Sequence, residues 1–249
     1  MKHKIKLLLL FSLHFGQMKS QTIIHGSNNG KYIVIDKMKI YYEEYGKGTP
    51  LLLLHGGLGS INNFHNVIPE LAKYHRVIAF DRPGHGRSEH ADTFTYHTMA
   101  AITATFIEKM NLDSAYIVGW SDGGNIALIT GSLIPKRIKK IIACGADVKE
   151  VKLDPQLQEY MNTITPEFVE KNWQEWLNQY KTLTPQFSKW KKFIANTAAM
   201  WQNPDILNES KLRTISCSTL VVIGDRDVIS PEAALKMYRS IKGSQLCIV

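Results

Sequence analysis

The sequence predicts an α/β domain: a mostly parallel central sheet with helices on both faces and a helical insertion before the last strands. Three observations carry that expectation. Short apolar runs such as Leu51 to Leu54 and Arg76 to Phe80 alternate with segments of helical periodicity, the pattern of βαβ units. The apolar runs pass directly into loops rich in Gly, Asp and His. Residues 149–211 hold helical patterns and no strand-like run.

In chain order, Lys31 to Tyr45 alternates and is rich in Ile, Val and Tyr, which predicts a β-hairpin turning near Asp36-Lys37. Leu51 to Leu54 is a wholly apolar strand, as suits a parallel strand covered on both faces. Phe64 to Tyr74 has helical spacing, Arg76 to Phe80 is a strand, and Thr98 to Met110 is helical. Ala115 to Val118, Lys140 to Cys144 and Ser218 to Ile223 read as further strands, with helices over Asn125 to Leu133 and Pro231 to Lys242. Gln245 to Val249 starts one more strand. The insertion carries Trp173, Trp176, Trp190 and Trp201, and Pro155, Pro166, Pro185 and Pro204 break its helical patterns. The division is therefore a leader over residues 1–20, a first core part over 21–148, a helical lid over 149–211 and a second core part over 212–249.

Composition bounds the function. The 249 residues are 44% hydrophobic and 21% charged, ordinary values for one globular domain. The formal charge of +8 is spread along the chain. The densest basic run, Pro135 to Lys140, reads as a helix end entering a strand, where cations are favoured. No nucleic-acid partner is expected. Cys144, Cys217 and Cys247 have no regular spacing, so neither a disulfide framework nor a metal site is implied. Lys2, Lys4 and Lys6 precede an apolar run from Leu7 to Phe11, and Ser20-Gln21 offers a cleavage point. That is the layout of a secretory signal peptide, and it predicts an exported protein, periplasmic or secreted, with a cytoplasmic one as the alternative. The run is too short for a stable membrane anchor.

Chemistry concentrates in three places. Gly119-Trp120-Ser121-Asp122-Gly123 is a G-x-S-x-G between a strand and a helix, the context of a nucleophile elbow. Ser121 is the expected nucleophile. Directly after an apolar strand comes His55-Gly56-Gly57-Leu58. A tetrahedral intermediate needs two preorganised N–H donors, and the expected pair is the N–H of Asp122 with that of Gly57 or Leu58, Gly57 being preferred. His55 is expected to be structural. Gly224-Asp225-Arg226-Asp227 follows a late strand, and a carboxylate there can orient a catalytic imidazole. Asp227 is the better candidate, because Asp225 lies closer to the strand and suits a turn cap.

Together with Asp81-Arg82-Pro83-Gly84-His85-Gly86-Arg87-Ser88, these segments resemble the α/β-hydrolase superfamily in order and spacing, from about Lys31 to Val249. Gly119 to Gly124 followed by Ile126-Ala127-Leu128 is most similar to the biphenyl-hydrolase-like group, which includes valacyclovirase. That resemblance implies hydrolysis of small-molecule carboxylic esters, including α-amino acid esters, through an acyl-enzyme and without cofactor or metal. It gives Asp122 a role in binding a substrate ammonium, with Leu58 and Trp120 beside it in the substrate site. On the residues alone, Asp122 equally suits the cap of a helix N-terminus. The same residues also serve C–C bond hydrolases, enol-lactonases, prolyl aminopeptidases and cofactor-free perhydrolases, and the fold also serves as a non-catalytic binding module.

One departure is plain. The family expects a histidine shortly after the last strand, commonly in a Gly-His pair, whereas all nine histidines here precede Ser121. Serine is a poor nucleophile without a general base, so the sequence is expected to be truncated before its catalytic histidine, and inactive as it stands. A substitute drawn from His85, His90 or His97 is the other reading.

Overall fold

The computed structural model describes residues 30–92, 94–202 and 204–249, so the expected leader lies outside the described residues. Eight strands form one sheet: β1 (Lys31–Ile35), β2 (Met38–Tyr45), β3 (Pro50–Leu54), β4 (Arg76–Phe80), β5 (Ala115–Trp120), β6 (Ile138–Cys144), β7 (Ser218–Ile223) and β8 (Gln245–Ile248). Their spatial order is β1-β2-β4-β3-β5-β6-β7-β8. β2 pairs antiparallel with β1 and β4, and every later pair is parallel. The hairpin closes where expected: Asp36 and Lys37 both take positive φ, 47° and 67°, as a two-residue turn matched to strand twist requires.

The strand order reverses at β3, whose neighbours are β4 on one side and β5 on the other. In open α/β sheets the crevice at such a reversal, beyond the carboxyl ends of the strands, is where ligands bind. The loops after β3 and β5 carry His55-Gly56-Gly57-Leu58 and Ser121, so the topology alone brings two of the three chemical segments together.

Helices α1 (Ile68–Leu71), α2 (Tyr96–Lys109), α3 (Asp122–Leu133) and α9 (Pro231–Ser240) belong to the core, and α4 (Pro155–Asn162), α5 (Pro166–Asn172), α6 (Gln174–Leu183), α7 (Trp190–Gln202) and α8 (Glu209–Leu212) lie between β6 and β7. The expected helix over residues 64–74 is broken. Ile61–Phe64 forms a 3-10 turn capped by Ser60, and only α1 follows. Pro69 explains the break, since its ring would clash with the carbonyl of His65 in a continuous helix. Pro155 and Pro166, in contrast, start helices rather than ending them. Each sits in a first turn, where no N–H is needed, behind the capping side chains of Asp154 and Thr165. No helix among the described residues is long and apolar enough to cross a membrane.

Strand alternation splits the core. One face, with Leu52, Leu54, Ile78, Phe80, Ile117, Ile141 and Val221, packs against Phe106 of α2, Ile126 of α3 and Met237 of α9. On the other face Leu51, Leu53, Val77 and Ala79 pack against Ile61, Phe64 and Ile68. Among the described residues that second cover stops at the middle of the sheet. Towards β8 the same face presents Ile142, Cys144, Leu220, Val222 and Cys247, all only half-buried. Adjacent residues of β7 should therefore respond oppositely to charge. Leu220→Lys should cost about 1 kcal/mol or less, whereas Val221→Lys, at a position 0% exposed, should cost several kcal/mol by burying an unpaired ammonium. Urea unfolding of the two variants checks this, and equal losses would contradict the one-sided cover.

Candidate active site

Ser121 joins β5 to α3 with φ 55° and ψ −122°, a conformation that costs a non-glycine residue about 1–3 kcal/mol. The surroundings impose it. A Cβ on Gly119 would lie 2.1 Å from the carbonyl oxygen of Gly123, and one on Gly123 would lie 2.0 Å from that of Leu54. Strand and helix thus cross at backbone contact, which explains both glycines of the motif. The Ser121 N–H donates to Cys144 O at 2.8 Å, tying the turn to β6. Asp122 is the first residue of α3, so its N–H is one of those a helix leaves without an internal acceptor.

The loop after β3 reaches this turn. A Cβ on Gly56 would stand 3.2 Å from Ser121 Cβ, with the Trp120 ring at 3.1 Å. On Gly57 it would meet the Trp201 ring at 2.3 Å and Asp122 Oδ2 at 2.7 Å. No side chain fits at Gly57 unless the lid moves. Leu58 takes φ 55°, and its carbonyl accepts from Trp176 Nε1 at 2.8 Å. Trp120 is 40% exposed at the end of β5. His55 is structural, as expected: its Nε2 accepts from the Arg82 N–H at 3.1 Å and its Nδ1 contacts Gly56 O at 2.8 Å.

Asp122 is buried, and its carboxylate joins the core helix α2 to the insertion. Oδ1 accepts from Tyr96 Oη at 2.8 Å, and the two oxygens share Trp201 Nε1 at 3.0 and 3.1 Å. Burial, and then the Asp122 charge, hold the Tyr96 hydroxyl well above its usual range. The Arg82 guanidinium is fully buried; burial lowers its proton affinity, and the Asp122 charge opposes that.

On the acid side, Asp227 is half-buried, and its Oδ1 accepts from the Ile229 N–H at 3.3 Å. Its Oδ2 lies 3.5 Å from where a Cβ on Gly145 would be, next to the carbonyl that holds Ser121. Asp225 is exposed, with Arg226 3.9 Å away. Asp147, in the loop after β6, is a further acid that the sequence did not single out. Its N–H donates to Asn125 Oδ1 at 2.9 Å, and burial pushes its carboxyl up to about 6. No described imidazole hydrogen-bonds Ser121. His85 is buried, its Nδ1 contacts Pro83 O at 3.0 Å, and burial first, then Arg82, lowers its basicity well below the usual value. His90 meets Tyr180 Oη at 3.1 Å and is lowered to about 4, chiefly by burial. His97 is exposed on α2.

Residues 49–249 match the model of the alpha/beta hydrolase fold family, and the chain belongs to that family. It is similar to 2-hydroxy-6-oxo-2,4-heptadienoate hydrolase of Pseudomonas putida, 25% identical over 87% of this chain and 86% of that protein. It also matches the sn-1-specific diacylglycerol lipase ABHD11 of Xenopus tropicalis, 29% identical over 57% of this chain. There it spans only 44% of the relative's length. A meta-cleavage product hydrolase from Pseudomonas fluorescens shares the fold, with a TM-score of 0.70 and 20% identity over 88% of each chain.

Asp147 predicts a pH signature. Its folded-state affinity for a proton exceeds that of the unfolded chain, so the folded state binds more protons between about pH 4 and 6, and stability falls as pH rises through that window. Asp147→Asn keeps an oxygen for the Val148 N–H that Asp147 Oδ1 now accepts at 2.7 Å. The variant should match the parent near pH 4 and exceed it by about 3 kcal/mol at pH 8. Parallel stability curves across that range would refute the buried-acid account.

Proposed function

We propose that this family member cleaves carboxylic esters of small molecules through an acyl-enzyme on Ser121. The observation that carries the reading is the meeting of the strained Ser121 turn with the Gly56-Gly57 loop, 3.2 Å apart at the Cβ positions of Gly56 and Ser121. Ser121 Oγ attacks the ester carbonyl, and its proton passes to an imidazole oriented by Asp227. The N–H groups of Gly57 and Asp122 receive the oxyanion. Collapse expels the alcohol, which takes the proton from the imidazolium. Water activated by the same imidazole then releases the acid. Leu58 and Trp120 border the acyl position. The substrate ammonium of an α-amino acid ester would approach Asp122, whose oxygens are held by Tyr96 and Trp201, so it would have to share that carboxylate with both donors.

No described imidazole hydrogen-bonds Ser121, so the described residues do not supply the proton acceptor that this reading calls for. Free imidazole in the buffer should therefore accelerate hydrolysis of p-nitrophenyl acetate by this 249-residue chain. Ser121→Ala should remove that acceleration, leaving only the imidazole background. A rate unaffected by Ser121→Ala would sink the assignment.

A second reading is C–C bond hydrolysis, favoured by the match to 2-hydroxy-6-oxo-2,4-heptadienoate hydrolase along most of both chains. The same residues would then act at a ketone carbonyl. Loss of dienoate absorbance, run beside ester hydrolysis, separates the two. Ester turnover with no dienoate turnover supports the first.

A further inference from the structure

Gly56 O is held by more donors than a loop carbonyl needs. Arg82 Nη2 donates to it at 2.7 Å and the Gly59 N–H at 3.2 Å. His55 Nδ1 lies 2.8 Å away, and because His55 Nε2 accepts from the Arg82 N–H, Nδ1 carries the proton and donates too. Arg82 thus supplies backbone and side chain to one closed ring of bonds with His55 and Gly56. Its guanidinium is wholly buried, and Nε and Nη1 have no hydrogen-bond partner among the described residues.

Burying a guanidinium to satisfy a single carbonyl is a poor stability device, because desolvation of a cation outweighs one hydrogen bond. A neutral donor would serve as well. A cation does two things that a neutral donor cannot. Gly56 O and Gly57 N–H belong to one peptide group, so charge drawn towards the oxygen makes the N–H a stronger donor, as in any chain of polarised hydrogen bonds. The positive charge also offsets Asp122, whose Oδ2 lies 2.7 Å from the Cβ position of Gly57. Left uncompensated, that carboxylate would repel negative charge developing at Ser121.

We propose that Arg82 is a positioning residue for the oxyanion donor, clamping and polarising the Gly56-Gly57 peptide through Gly56 O, with His55 completing the clamp. The role rests on the acyl-transfer reading of Ser121, but its structural signature is measurable without turnover. In the unaltered chain, the Gly56 carbonyl carbon should resonate downfield of the other glycine carbonyls. Arg82→Gln keeps an N–H donor and drops the charge. It should move the Gly57 amide proton upfield and slow its base-catalysed exchange, as a less polarised N–H requires, leaving Gly119 and Gly123 in place. Arg82→Lys keeps the charge and should recover part of the shift. Acylation of Ser121 by an oxygen ester should slow about tenfold in Arg82→Gln, less than the loss of a whole oxyanion donor. Acylation by the matching thionoester, whose sulfur accepts hydrogen bonds poorly, should hardly change.

An ordinary Gly56 carbonyl shift in the unaltered chain would overturn the proposal even if both variants failed to fold. So would equal slowing of the two esters, which is what a merely structural arginine would produce. A chain that shows the carbonyl signature, yet leaves Ser121 unacylated by either ester, removes the acyl-transfer reading and keeps the clamp.

Discussion

The carbonyl oxygens of Leu54 and Gly123 stand where side-chain carbons of Gly123 and Gly119 would be, and the rest of the site follows from that contact. Three backbone segments, the ends of β3 and β5 and the start of α3, meet with no side chain between them. A turn between β5 and α3 at that separation has room only for a residue in a strained conformation, and Ser121 takes it at φ 55°. Because β3 is one of the three, the loop that follows it emerges beside Ser121. The proximity of the Gly57 N–H to the serine is thus a consequence of sheet order and two missing Cβ atoms, and it is present before any substrate arrives.

The insertion is attached to the same neighbourhood through a few polar bonds set in aromatic packing. Trp176 of α6 donates to Leu58 O, Trp201 of α7 to Asp122, and Tyr180 of α6 to Gly84 O at 2.9 Å. Tyr180 stacks on Trp176 at 5.0 Å and on Phe193 of α7 at 5.2 Å. The loop after β3 holds Trp176, the loop after β4 holds Tyr180 and Gln186, and the first residue of α3 holds Trp201. A lid fastened in this way cannot shift by rotating one residue. Opening it would take Trp176 from the Leu58 carbonyl and Trp201 from the Asp122 carboxylate together, leaving Asp122 with Tyr96, and both groups flank the place assigned to the oxyanion.

Much of this was legible in the sequence, for reasons that differ by element. β4 and β7 match their expected bounds, because apolar strands flanked by charge or glycine have sharp edges. The Asp36-Lys37 turn follows from hairpin alternation. Ser121, Gly57 and Asp227 stand out in the sequence because the motifs that carry them are local: a few residues bring their own strand and helix. The partners of Asp122 were not legible. Tyr96 and Trp201 lie 26 and 79 residues away in sequence, and no periodicity says which lid tryptophan meets which carboxylate. Asp147, and the burial of Arg82 within the Asp81-to-Ser88 segment, are not legible for a related reason. A charged residue in a loop is ordinarily solvated, and only the packed structure shows these two to be buried. Pro69, in contrast, is plain in the sequence, and the helical spacing around it masks the break it causes.

The sheet is covered unevenly, and the proposed catalytic groups divide along that line. Ser121 and the loop after β3 stand where helices or turns pack both faces. Asp227 follows β7, in the half where Ile142, Leu220 and Val222 remain half-buried on one face. Among the described residues its carboxylate is held by a single backbone N–H, that of Ile229 at 3.3 Å, whereas Gly56 O receives three donors. The proposed nucleophile and oxyanion donors are therefore fixed by the fold itself, while the proposed acid rests on a weakly tethered turn. An imidazole hydrogen-bonded to both Ser121 and Asp227 would be the element that joins the rigid half to the soft one. Its effect on Asp227 should be ordering as well as protonation chemistry, because the charge-assisted bond it offers is stronger than the one neutral N–H that now holds the carboxylate.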